Sequence, residues 1–139
     1  MATLLPAAEP RAPGPEDVAS VIAMVDSLYF AQDPAASIAA CSTAFARGVD
    51  DSRLRWRAAR ATIALGMLSD DAESRTTFYD AALGHARRAV ELSRGIDERY
   101  WLAAAAGRRA RPDQLLLGVR RRHPDAGAGP ADGIAHPAA

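Results

Sequence analysis

Four groups of residues in this chain have types that could do chemistry. Three histidines, His85, His123 and His136, are potential acid-base or metal-binding groups. Paired acids at Asp50-Asp51 and Asp70-Asp71 could share a cation, Cys41 could be a lipid-modified cysteine, and Arg53, Arg55, Arg57 and Arg60 could form a basic patch toward nucleic acid. Catalysis needs a base positioned by a partner, and no G-x-S-x-G, H-E-x-x-H or P-loop sequence occurs, so no catalytic residue is assigned. His85 falls in the middle of a helical pattern with no Ser or Cys motif beside it and reads as a satisfied helix residue. Both acid pairs stand at the starts of helical patterns, where capping and the helix dipole already account for them, so neither metal nor cofactor is expected. At helical spacing Arg53, Arg57 and Arg60 share one face, and together with Tyr100 they are the candidate lining of a partner-binding groove. Acids at 50, 51, 70, 71, 73 and 80 are available to pair with that basic face.

The bulk numbers restrict the elements that could position such a site. A chain of 139 residues with 17 basic and 17 acidic side chains has room for one domain with a core, and no net field toward nucleic acid or lipid. Every basic residue is arginine, and with the heavy alanine and glycine usage this reads as genome composition rather than function. One cysteine excludes an internal disulfide framework. The stretch "SIAAC" before and including Cys41 has the small residues of a lipoprotein motif. However, Asp26, Gln32, Asp33 and Pro34 interrupt the segment ahead of it, so Cys41 reads as a helix-packing residue. The start "MATLLPAAEPRAPGPED" lacks a basic leader, and no run approaches the ~18 apolar residues of a membrane span. A cytoplasmic protein without a membrane span is the expectation, with the periplasm as the alternative.

Residues 1–14 hold three of the nine prolines and no periodicity, and read as disordered. A first helix begins at Pro15, with Val18, Val21, Ile22, Val25 and Leu28 on one face. "AQDP" stops it, because the residue before Pro34 is pushed out of helical geometry. A second helix spans about 35 to 47, with Ile38, Cys41 and Phe45 inward and Gly48 as its stop. "DDS" caps a third from about 52 to 67, with two apolar stripes: Leu54, Ala58, Ala61, Leu65 and Trp56, Ala59, Ile63, Met67. Two stripes predict contacts on both sides. A capping box from Asp70 to Glu73 opens a fourth helix to about Leu92, facing inward through Tyr79, Leu83, Ala86 and Val90, with Phe78, Ala82 and Ala89 beside them; Gly95 ends it. A fifth, from Asp97 to about Arg109 and capped by its own acids, carries Tyr100, Trp101 and the run Ala103 to Ala106. Tyr100 and Trp101 read as wedge and core residues at a close helix crossing. No segment alternates as a strand would, so the fold class is all-α. Residues 15–111 form the domain, and 112–139 form a short helix over "DQLLLGV" or a disordered Gly/Pro/Ala-rich tail.

"AFARGVDDSRLRWRAARA" and "ARRAVELSRGIDERYWLAAAAG" share one sketch at an offset of about 45 residues, which predicts two helix-turn-helix units. In this order and spacing "VDSLY" (25–29), "RLRWRAARATIALG" (53–66), "FYDAALGHARRAVELS" (78–93) and "ERYWLAAAAGR" (98–108) resemble the tetratricopeptide-like proteins of the regulator of microtubule dynamics type and their bacterial relatives. The T-component of TRAP-type transporters is a more distant likeness. The resemblance implies a right-handed solenoid fragment of about five helices in antiparallel hairpins, without enzymatic activity, binding a protein or peptide partner. A helical nucleic-acid-binding module using the arginine-rich faces is the alternative. Relatives show His before the Trp where this chain has Arg99-Tyr100, and a proline where it has Arg94-Gly95. They also continue with further helices, whereas composition here changes near Arg111. A truncated C-terminus would leave the last helix uncapped and open to self-association.

Overall fold

The computed structural model describes residue 3 and residues 15–113, and the expectations for 1–14 and for the tail beyond Asp113 lie outside the described residues. Five α-helices follow in order: α1 Pro15–Phe30, α2 Pro34–Ala46, α3 Ser52–Leu68, α4 Ala72–Leu92 and α5 Ile96–Ala110. No strand occurs among the described residues. The all-helical reading and the helix limits hold to within one or two residues, because apolar spacing and helix-end chemistry act locally.

The helix ends show which breaker does what. At the end of α1, Asp33 N–H donates to Leu28 O and Gln32 N–H to Tyr29 O, both at 3.0 Å, with Gln32 in the left-handed region at φ 66°. At the end of α2, Val49 N–H donates to Ala44 O and Gly48 N–H to Phe45 O, with Gly48 at φ 90°. These are two Schellman stops, one with the expected glycine and one with a glutamine in its place. The chain has therefore left α1 before the residue preceding Pro34 can act. Asp33 then caps α2, its carboxylate accepting from Ala36 N, and Asp51 caps α3, accepting from Arg53 N.

Two expected caps are corrected. The cap of α4 is Asp71, accepting from Ser74 N at 2.7 Å, and not Asp70. Adjacent aspartates offer the same group, and the exit of α3 through Ser69 selects the second. The fourth helix ends at Ser93, and Gly95 is instead the N-cap of α5 with no side-chain hydrogen bond; Asp97 and Glu98 lie in the first turn. There the two acids face the positive end of the dipole, which is their contribution.

Helix α3 is the centre of the molecule: it packs against all four others, and nine of its 17 residues are buried. Neighbouring residues point to opposite cores. Leu54 and Ala58 join Val18, Val25, Cys41, Ala44 and Val49 in one, while Ala59 and Ile63 join Tyr79, Ala82, Ala86 and Ala105 in the other. The two predicted stripes are thus real over their first three residues each, with Leu65 only partly buried at the end of the first and Met67 exposed at the end of the second. Odd-numbered helices also touch one another, α1 with α3 and α3 with α5. Small residues allow the close approach. A Cβ added to Gly66 would come within 2.5 to 3.1 Å of the fully buried Tyr79 ring, so α4 lies directly on the α3 backbone there.

Candidate functional site

Arg57 and Arg60, one turn apart on α3, both donate to the Asp26 carboxylate of α1: Arg57 Nε at 2.9 Å and Arg60 Nη2 at 2.6 Å. Burial pushes the Asp26 carboxyl up, but the two arginine hydrogen bonds and charges outweigh it and hold it below its ordinary value. Arg60 is itself buried, and its guanidinium lies 3.9 Å from the centre of the Tyr29 ring, with Phe30 beyond at 5.3 Å. Arg57 covers the Trp56 ring at 4.1 Å. Trp56 in turn stacks on Trp101 of α5 at 6.4 Å with the planes 1° apart, and Tyr100 meets Trp101 edge-on at 5.0 Å. A row of cations and aromatic faces therefore runs across α1, α3 and α5.

Three of the four residues singled out from the sequence belong to this row: Arg57, Arg60 and Tyr100. Arg53 does not; it holds the adjacent cap, donating to Asp51 through Nε at 3.0 Å and Nη2 at 2.8 Å. The pairing of the basic face came from an acid not singled out, Asp26. Of the acids that were, Asp51 takes Arg53, Asp50 takes Arg55 and Arg88, and Asp80 takes Arg109. Tyr100 is 63% exposed while Trp101 is half-buried, which corrects the expectation that both are wedge and core residues. Successive residues on a helix point about 100° apart, and α5, unlike α3, has its core contacts on one side, so Trp101 packs inward while Tyr100 points away.

The arginine row ends at a cleft. Tyr29, Gln32 and Pro34 of the α1–α2 turn and Ala64, Met67 and Leu68 of the last turn of α3 enclose about 250 Å³. Its rim is apolar and open, with Leu68 70% and Met67 37% exposed; Phe30, packed edge-on against the Tyr29 wall at 5.4 Å, is 69% exposed. Asp26 and Arg60 fix the Tyr29 wall from behind. Sequence reading missed this cleft because its two sides are about thirty or more residues apart. The signals were nonetheless present: Phe30 lies beyond the periodic face of α1, and Met67-Leu68 is an apolar pair where the helix ends.

The remaining candidates have structural partners. His85 is partly buried, with Nδ1 3.3 Å from Arg55 Nη1 and its ring 5.6 Å from Phe45. Cys41 is fully buried, and burial raises its thiol pKa to about 11. Asp51 and Asp71 cap helices, as acids at these positions do. No helix among the described residues is long and apolar enough to cross a membrane. Comparison of the chain with family models, with curated proteins and with solved structures gave no match.

Proposed function

We propose that this protein is a non-enzymatic helical scaffold, a tetratricopeptide-like right-handed solenoid fragment, whose cleft between the α1–α2 turn and the end of α3 binds a protein or peptide partner. The cleft is the observation that carries the reading. At about 250 Å³ it is below the ~300–1,000 Å³ of sites that enclose a small metabolite, and its size suits one or two apolar side chains of a larger partner. The exposed rim of Met67 and Leu68 would hold those anchors, and the polar Gln32 would orient the backbone. Contacts between alternate helices, together with the Trp56–Trp101 stack at matched positions of the internal repeat, support the solenoid reading. The nucleic-acid alternative loses its main support, since Arg57 and Arg60 are engaged by Asp26 and Arg53 by Asp51.

The test is selection from a displayed peptide library with the full chain, repeated with Leu68→Asp and Arg53→Glu. Selected peptides should carry aliphatic or aromatic anchors. Leu68→Asp should weaken them at least about tenfold, or 1.4 kcal/mol, with an unchanged melting temperature, and Arg53→Glu should leave them bound. Failure to select any peptide that depends on Leu68, or salt-sensitive DNA binding abolished by Arg53→Glu, would defeat the proposal.

A further inference from the structure

We propose that the outer face of α5 pairs antiparallel with the same face of a second copy of this chain, forming a weak two-fold dimer. Helix α5 packs on α3 and α4 through its inner side, where Ala105 is fully buried, and no described element covers the opposite side. That side carries Ile96, Tyr100, Ala103 and Gly107, spaced four, three and four residues apart and therefore in one line along the helix. Ile96 is 80% exposed and Tyr100 63%, and the line holds no charged side chain. The Tyr100 ring meets Trp101 edge-on at 5.0 Å, so an aromatic anchor already stands fixed on the surface.

The two halves of this face are unlike, and that identifies the occupant. The first half is bulky, with Ile96 and Tyr100. The second is bare: Ala103, Ala106 and Ala110 are exposed around Gly107, where an added Cβ would meet nothing within 4 Å. Glycine weakens a helix interior relative to alanine, and packing within the chain does not call for it at this position. Gly84 of α4 is open in the same way, but its exposed neighbours one turn along are the charged Asp80 and Arg87. In an antiparallel pair with its two-fold axis level with Ala103, Tyr100 of each copy stands over Gly107 of the other, so the bulky half fills the bare half. Charge agrees with this direction. The first turn of α5 carries Asp97 and Glu98 and the last turn Arg108 and Arg109, so antiparallel pairing sets an acidic end beside a basic one, whereas parallel pairing sets like beside like. A helix of 15 residues offers a face only ~22 Å long, which places the pair among weak associations that bury less than ~1,200 Å² and separate on dilution.

Single-cysteine variants of the full chain test the pairing. Ala103→Cys lies at the axis beside its own counterpart, whereas Ile96→Cys lies ~22 Å from its counterpart, beyond the ~7 Å that a disulfide spans. The native Cys41 is buried with its thiol pKa raised to about 11, so it does not compete. Ala103→Cys should bridge between chains at least about tenfold faster than Ile96→Cys, and adding Gly107→Leu should slow that bridging about tenfold. Sedimentation equilibrium supplies the second readout. The mass of the native chain should rise toward that of two chains as its concentration approaches about 1 mM, while Gly107→Leu and Ala103→Leu stay monomeric. Both variants add a side chain on the exposed face, so the dilute monomer should melt as the native chain does. Equal bridging of Ile96→Cys and Ala103→Cys, bridging or self-association indifferent to Gly107→Leu, or a native chain that stays monomeric throughout overturns the inference. So does maleimide labelling of Ala103→Cys that is slow in dilute solution, since the face is then covered within one chain.

Discussion

Gln32 is the one described non-glycine residue with a positive φ, and it does so where a glycine would be expected. The left-handed region costs an L-residue roughly 1–2 kcal/mol, because its Cβ crowds the following carbonyl. Glycine avoids that but loses about 0.5–1 kcal/mol more backbone entropy on folding. Gln32→Gly should therefore raise stability by about 0.5–1 kcal/mol, seen in urea unfolding as a higher midpoint at unchanged slope. Gly48→Ala, at the equivalent stop of α2, should do the reverse. A stability loss on Gln32→Gly would mean that the side chain makes contacts which offset its strain. Gln32 forms part of the cleft wall, so the stabilised variant also loses a polar group from that wall.

At the scale of the elements, alanine and glycine set how near the helix axes come. Ala105 is fully buried against α3 and α4, whereas Ala103, two residues earlier and so on the opposite side of the helix, is exposed. Ala105→Leu should overpack the crossing and cost about 1–3 kcal/mol, with Ala103→Leu near neutral; equal effects would mean a loose α5. Gly66→Ala sets two effects against each other. Helix propensity gains about 1 kcal/mol, but the new Cβ meets the Tyr79 ring at 2.5 Å, and that ring is fully buried. Steric conflict should win, giving a net loss in thermal unfolding. These small residues were legible in the sequence because helical periodicity is local, and so were the limits of all five helices and the two-sided burial of α3. Long-range pairing was not legible. Asp26 and Arg60 are 34 positions apart, so nothing in their local spacing marks them as partners, and the cleft they support is assembled from two helix ends that only the tertiary packing brings together.

Over the whole molecule, ion pairs join the helices, and their titration should divide acid unfolding into two stages. His85 on α4 faces Arg55 of α3 and Phe45 of α2; Arg55 also donates to Asp50 of the α2–α3 turn, which accepts from Arg88 of α4. Because Arg55 donates to Nδ1, the folded state needs neutral His85, and burial, followed by the Arg55 charge, holds its pKa below 6.5. The unfolded chain therefore binds a proton that the folded chain resists. Stability is full above about pH 6.5 and falls as pH drops toward the folded value, by at most about 1.4 kcal/mol per pH unit for one proton. Asp26, Asp50 and Asp51 are held below 3.8, so their contribution is present above that value and is lost only as pH falls further. Urea midpoints from pH 8 to 5 should decline in the native chain and stay level in His85→Gln, which can still accept from Arg55 but does not titrate. Both chains should then lose stability together below about pH 4, where carboxylates in folded proteins take up protons. A His85→Gln chain that keeps the decline between pH 8 and 5 would locate the first stage outside the Arg55–His85–Phe45 junction.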